Sequence, residues 1–300
     1  MKKKLFLFLT MIDFGLIAQI KENLYLGEIP NYIESTNEEH IVHSGGIDRV
    51  HEVSIPHYTF YRSENASKDA PCIIICPGGG YSILASTHEG TDVAEELVKN
   101  GVHVLLLYYR LPNPLKQKDP SIAPIQDAQM AIRIVRSNAN KWGINPKKVG
   151  IMGFSAGGHL AASASNLFEE DFIGLNDGAN LRPDFSVLIY PVITFKDFGH
   201  AGSRNKLLGE NQSQERVRMF SIEEQISKNT PPAFLVHAAD DGGVPVKNTL
   251  VYVHKMADLK NKVDARIYSG GGHGFGMINK SNSEKWMDLL IRWLNDNQFK

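Results

Sequence analysis

The stretch whose reading decides the fold is Val149 to Ala162, VGIMGFSAGGHLAA. An apolar run (Val149, Ile151, Met152) stops at Gly153. Ser155 follows between Gly153 and Gly157, and an alanine-rich segment continues from there. This is G-x-S-x-G set between a strand pattern and a helix pattern. The demand for the glycines is steric. A serine at the tip of a sharp strand-to-helix turn sits in strained backbone, and side chains two positions to either side would meet the crossing chain. Such a turn pushes the hydroxyl out of the end of a sheet, beside the N–H groups of a helix N-terminus. A glycine-rich junction with a capping serine would read the same way, so the rest of the chain has to supply the serine's partners.

Working outward, strand and helix patterns alternate for roughly 200 residues without a linker or a break in composition. Strands are predicted at 72–76, 102–109, 149–152, 185–190, 233–237 and 263–268. Helices are predicted at 91–99, about 123–142, 155–166, 246–259 and about 283–295. The alternation predicts a single α/β domain over 19–300, with a mostly parallel central sheet and helices on both faces. Segments 50–55 and 57–62 alternate apolar and polar residues around Pro56 and predict two half-exposed antiparallel strands. Residues 19–48 read as a polar, irregular lead-in. Residues 192–230, with Gly199, Gly202 and Gly209, predict a small helical cap inserted over the end of the sheet.

A net charge of −1 and a pI near 6.8 leave no basic surface for nucleic acid and no acidic tail. At the N-terminus, Lys2, Lys3 and Lys4 precede LFLFLTMI, and a cut after Ala18 would complete a secretory signal over 1–18. That signal implies export to the periplasm or beyond; without it the chain would be cytoplasmic. No later segment reaches the ~18 apolar residues of a membrane span. Cys72 and Cys76 share one strand face about 13 Å apart, at ~3.3 Å rise per residue. This is too far for a disulfide, so both read as small buried hydrophobes.

A serine hydroxyl needs a base to take its proton and a third group to orient that base. In this topology both come from loops after later strands, in the order Ser, acid, His. The strand at 263–268 runs into Gly270-Gly271-Gly272-His273-Gly274, and His273, flanked by glycines on a loop with little packing to do, is the candidate base. The strand at 233–237 runs into Asp240-Asp241-Gly242-Gly243-Val244-Pro245. Adjacent residues point in different directions, so one of the two aspartates orients His273. The spacing D-x-x-V-P favours Asp241, leaving Asp240 for loop amides. His237 and His159 read as packed residues. The oxyanion needs two aimed N–H groups: one from Ala156, directly after the nucleophile, and one from Gly79 or Gly80 in the glycine loop after the 72–76 strand. Glu89, in His88-Glu89-Gly90, reads either as a helix N-terminal acid or as a substrate contact at the pocket mouth. Arg110, Asp127, Arg133 and Arg136 read as structural ion pairs. There is no zinc-type His/Cys spacing and no H-E-x-x-H, so neither metal nor cofactor is called for.

With these residues in view, the chain resembles the α/β-hydrolases of the carbohydrate-esterase type, the group that contains acetylxylan esterases. The resemblance rests on CPGGGY (76–81), HEG (88–90), YRL (109–111), GFSAGGHLAAS (153–163), HAADDGGVPVKNT (237–249) and GGHGFG (271–276). It implies the α/β-hydrolase fold, a Ser155–Asp241–His273 triad and an oxyanion hole from the glycine loop and Ala156. It also implies a substrate of short acyl esters on carbohydrate. Two rival functions share the fold: a serine peptidase of the prolyl-oligopeptidase type, and a non-catalytic hydrolase-fold binding protein.

Overall fold

The apolar runs of the chain become the middle of one sheet. A computed structural model describes residues 19–209 and 212–300; the expected signal at 1–18 lies outside the described residues. The strands are β1 (Gln19–Asn23), β2 (His40–Ser44), β3 (Ile47–His51), β4 (His57–Tyr61), β5 (Ala70–Cys76), β6 (Leu84–Ala85), β7 (His103–Tyr108), β8 (Ile144–Phe154), β9 (Phe185–Ile189), β10 (Ala233–Ala238) and β11 (Val263–Tyr268). The main sheet runs in the order β1-β4-β7-β5-β8-β9-β10-β11. From β7 to β11 every pairing is parallel, while β4 pairs antiparallel with both β7 and β1.

The helices are α1 (Asp92–Lys99), α2 (Ala123–Ser137), α3 (Ala139–Trp142), α4 (Ser155–Asn166), α5 (Ala201–Leu208), α6 (Gln214–Met219), α7 (Lys247–Asp258) and α8 (Trp286–Asp296). Alternation along the strands divides the apolar residues between two cores. Cys72, Ile74, Cys76, Leu105 and Leu107 face α2, α4 and α7, whereas Ile73, Ile75, Val104 and Leu106 face α1 and α8. Strands covered on both faces read as continuous apolar runs, which is why β5, β9 and β10 are buried along their whole length. Both cysteines are buried and unbridged on the same face.

Two expectations near the N-terminus need correction. The segments around Pro56 do not pair with each other. β4 is buried throughout and joins the main sheet, while β3 pairs with β2 and β6 in a separate three-stranded antiparallel sheet. The supposed lead-in supplies β1 and β2, all of whose residues are exposed. Strands of this kind are held by backbone hydrogen bonds to a neighbour, and their polar side chains carry no apolar period to read.

Residues 192–230 carry α5, α6 and a 3₁₀ turn at Ile222–Glu224. Ile193, Phe195, Leu207, Leu208, Phe220 and Ile222 are buried in the same core as Leu160 of α4. The Asn248 side chain of α7 accepts from Ile193 N (2.9 Å) and Thr194 N (3.1 Å), fixing the start of the segment. Among the described residues, no helix is long and apolar enough to cross a membrane.

Arg110, fully buried after β7, closes the opposite flank. Its guanidinium meets the Asp127 carboxylate of α2 (Nη2–Oδ1 2.8 Å, Nε–Oδ2 3.0 Å) and donates to Pro30 O (2.7 Å). Tyr25 donates to the same carboxylate (3.1 Å), so one buried pair ties the N-terminal segment to α2. Breaking a buried pair leaves an uncompensated charge. Arg110→Met is therefore expected to lower unfolding free energy by about 3 kcal/mol in urea titration.

Candidate active site

β8 ends at Phe154, and Ser155 opens α4 with φ +52°, left-handed backbone that a non-glycine residue adopts at a cost of about 1–3 kcal/mol. The glycines at either side are there because nothing larger fits. A Cβ at Gly153 would lie 2.0 Å from Gly157 O, and one at Gly157 would lie 2.1 Å from Cys76 O. The turn holds the serine at the carboxyl end of the parallel strands, where open α/β sheets place their ligands.

His273 stands on the loop after β11 and Asp241 on the loop after β10. His273 Nε2 is 2.8 Å from Ser155 Oγ, and its Nδ1 is 2.7 Å from Asp241 Oδ2. A carboxylate on Nδ1 fixes the tautomer: Nδ1–H donates to Asp241, which leaves Nε2 as the acceptor of the serine proton. Asp241 has three further donors. Its Oδ1 accepts from Gly243 N (2.9 Å) and Val244 N (2.8 Å). Its Oδ2 also faces His237 Nε2 at 3.2 Å. That nitrogen lies 2.9 Å from Val244 O as well, so it carries the proton, and His237 Nδ1 accepts from Thr249 Oγ1 (2.8 Å). Burial pushes the Asp241 pKa up. The hydrogen bonds from His237, His273 and Val244 N outweigh burial and hold the carboxyl well below the usual carboxylate range. Asp240 turns the other way and accepts from Gly272 N (2.8 Å) and Gly271 N (3.3 Å), bracing the loop that carries His273.

The glycine loop is held by its carbonyls. Tyr109 donates to Pro77 O (2.6 Å), Ala85 N to Gly78 O (2.9 Å), and Ser82 N and Ile83 N to Gly79 O (3.0 and 3.2 Å). In a planar trans peptide the N–H points opposite the carbonyl of the preceding residue. Anchoring Gly78 O and Gly79 O therefore turns the Gly79 and Gly80 N–H groups out of the loop, and neither has an acceptor among the described residues. Gly79 (φ +135°) and Gly80 (φ +64°) occupy backbone that favours glycine, and a Cβ on Gly79 would sit 2.2 Å from Ile83 O. Ala156, at the first turn of α4, has its N–H among those a helix leaves without an internal partner.

Glu89 is a correction to the expected substrate contact at the pocket mouth. Only 3% of it is exposed, on a single π-turn at Thr87–Thr91. Its Oε2 accepts from Gly78 N (2.8 Å) and its Oε1 from Tyr190 (2.7 Å), so both oxygens face inward. His159 is buried, accepts from Tyr81 at Nδ1 (2.8 Å) and donates from Nε2 to Phe220 O (2.8 Å). It thereby joins the glycine loop, α4 and the 192–230 segment.

Sequence reasoning missed His200 and Tyr190. His200 precedes α5, and its Nδ1 accepts from Ser203 N (3.1 Å), which leaves the proton on Nε2. Burial, and then the charge of nearby His273, push its pKa down, partly offset by Asp241. With Gly80, Ser82, Gly202, Asn205 and Lys206 it lines a groove of about 460 Å³. A histidine at a helix start was a visible signal, but its proximity to Gly80 was not. Among the described residues, no group of three His, Cys, Asp or Glu side chains is placed to hold a metal ion.

The family model described as BD-FAE matches residues 59–256, most of the chain. The chain belongs to the BD-FAE family. This BD-FAE chain is 39% identical over 226 residues to an acetylxylan esterase of Xylanibacter ruminicola, covering 71% of this chain and 42% of that protein. It is 33% identical over 235 residues to endo-1,4-beta-xylanase B of Butyrivibrio fibrisolvens, covering 76% of this chain and 36% of that one. The chain thus spans less than half the length of these two relatives. Among solved structures, an acetyl ester-xyloside bifunctional hydrolase of Caldicellulosiruptor lactoaceticus superposes with a TM-score of 0.74 at 36% identity, over 82% of this chain and 89% of that one. The fold is that of the α/β-hydrolases.

Two outcomes follow from this geometry. Asp241→Asn is expected to lower any turnover that depends on Ser155 by about 10³–10⁴-fold by reversing the His273 tautomer, and Asp240→Asn by less than about tenfold; a larger loss for Asp240→Asn would reverse the assignment. The second concerns acid stability. Burial lowers the His159 pKa from 6.5 to about 4. As pH falls from 6.5 to 4 the unfolded chain binds a proton that the folded one refuses, so stability drops with pH, by roughly 2 kcal/mol at pH 5. His103, also lowered to about 4 by burial, acts in the same direction. Urea midpoints are expected to fall from pH 7 to pH 5, with a flatter slope in His159→Asn, which does not titrate.

Proposed function

We propose that this chain is a serine esterase that removes acetyl groups from plant polysaccharides or oligosaccharides through an acyl-enzyme. The observation that carries the proposal is the line Ser155 Oγ, His273 Nε2, His273 Nδ1, Asp241 Oδ2, with contacts of 2.8 and 2.7 Å, set beside two glycine amides that have no acceptor among the described residues. The choice of acetyl esters on carbohydrate is supported by the acetylxylan esterase and the acetyl ester-xyloside hydrolase to which the chain is similar.

In this reading Ser155 Oγ attacks the ester carbonyl while His273 Nε2 takes its proton. Asp241 orients the imidazole and stabilises its charged form without itself being protonated. The developing oxyanion is received by Ala156 N and by Gly79 N or Gly80 N, each donor contributing about 3 kcal/mol. His273 returns the proton to the departing sugar oxygen. Water, deprotonated by the same nitrogen, then attacks the acyl-enzyme, releasing acetate and restoring Ser155. The segment 192–230 acts as a small cap on a single α/β-hydrolase domain. The groove beside Gly80 receives the sugar, because Ser82, His200, Asn205 and Lys206 offer polar hydrogens to hydroxyl and ring oxygens. The basic-then-apolar start of the chain fits export toward an extracellular polysaccharide.

The test compares acetylated xylo-oligosaccharide with p-nitrophenyl acetate. Ser155→Ala is expected to abolish turnover of both. His200→Ala is expected to cost about tenfold more kcat/KM on the oligosaccharide than on the aryl ester, the worth of one lost hydrogen bond. Full turnover in Ser155→Ala, or faster cleavage of dipeptide amides than of acetyl esters, would reject the esterase reading.

A further inference from the structure

Two buried side chains outside the proposed triad connect the glycine loop with the histidine loop. Gly276 N donates to the Tyr190 hydroxyl (2.9 Å), Tyr190 donates to Glu89 Oε1 (2.7 Å), and Gly78 N donates to Glu89 Oε2 (2.8 Å). Burial, followed by the charge of Glu89, raises the Tyr190 pKa far above its ordinary value, so the phenol keeps its proton and remains a donor. The chain of bonds therefore has one direction: amide to phenol to carboxylate, with a second amide arriving at the other carboxylate oxygen.

The placement of this chain is specific. Gly78 is wedged between Glu89 and the nucleophile: a Cβ there would lie 2.6 Å from Glu89 Oε2, 2.6 Å from Phe154 O and 3.0 Å from Ser155 Cβ. Tyr190 follows β9 with φ +36°, strained for a non-glycine residue, and its ring stands edge-on to the His273 imidazole at 5.0 Å between centroids. Trp286 clamps the far side of the histidine loop by donating to Gly276 O (3.0 Å). Neither Glu89 nor Tyr190 hydrogen-bonds to Ser155 or Asp241.

We infer that Glu89 and Tyr190 are a positioning pair that sets the separation between the oxyanion donors and His273. Gly78 N anchors one end of the loop that presents Gly79 and Gly80; Gly276 N anchors the loop that presents the base. Hydrogen bonds to a carboxylate are about twice as strong as neutral ones, which suits a strut between two glycine-rich loops. The inference rests on the esterase reading above, and it assigns to Glu89 a role at the back of the site in place of a substrate contact.

The experiment uses Tyr190→Phe and Glu89→Gln, with rates expressed per site titrated to completion by a fluorophosphonate, so that unfolded protein does not count. Each variant is expected to lose about tenfold to a hundredfold in kcat on p-nitrophenyl acetate, with KM changed by less than about twofold. Affinity for trifluoroacetophenone, whose serine adduct bears an oxyanion, is expected to weaken by the same factor as kcat/KM. A role in stability alone would lower the melting temperature and leave the ketone affinity unchanged. Wild-type kcat per titrated site, or unaltered ketone affinity, in either variant overturns the positioning pair. Should Tyr190→Phe not fold, the nearly isosteric Glu89→Gln decides. A dead Ser155→Ala beside a fully active Tyr190→Phe rejects the pair and leaves the esterase reading in place.

Discussion

At the carboxyl end of the sheet two backbones cross closer than side chains allow. The helix that begins at Ser155 passes so near the end of β5 that a Cβ on Gly157 would stand 2.1 Å from Cys76 O and 2.4 Å from Pro77 O. That contact sets the distance between the serine turn and the glycine loop, and the site's remaining geometry depends on it. Closed in this way, the turn can hold Ser155 at φ +52° because the surrounding packing leaves no relaxed alternative. The same crossing brings Gly78 against Ser155 Cβ, so the glycine loop and the serine turn pack directly on each other.

Around this crossing the protein buries several polar side chains and gives them hydrogen-bond partners. His237 and two backbone amides share the Asp241 carboxylate with His273. His159 joins the glycine loop to Phe220, and Glu89 joins it to Tyr190. A half-satisfied network of this kind would cost more than an apolar core, whereas a complete one specifies a single arrangement. It also makes the folded state sensitive to acid, since the buried, neutral His159 imidazole takes up a proton when the chain unfolds at low pH. The histidines therefore divide by environment. His273 is reachable at the end of a glycine loop, while His159 and His237 are fully buried and serve as fixed hydrogen-bonding parts.

The parallel core was legible because its strands are covered on both faces and leave unbroken apolar runs between helical periods. The serine turn was legible because steric crowding admits only glycine at 153 and 157. Asp241 and His273 were legible as strand-end residues among glycines, in the order that the winding of the sheet requires. Even the choice between Asp240 and Asp241 could be framed from sequence, because adjacent residues face apart. β1 and β2 were not legible, since exposed edge strands are held by backbone bonds that leave no side-chain pattern.

What the sequence by itself determined is local: where a serine can be strained, which loops are free of side chains, and in what order the proposed acid and base arrive. What only the tertiary structure decided is which side chains from distant segments share a space. Glu89 looked like a helix-end acid or a pocket residue; folding placed it against Gly78 and Tyr190, 11 and 101 residues away. His200 was not singled out from the sequence; folding set it beside Gly80. The reason is physical. Backbone strain and periodicity are short-range properties written in neighbouring residues, whereas a buried hydrogen bond is fixed by three-dimensional packing, and many pairings across a hundred residues are equally compatible with the same local sequence.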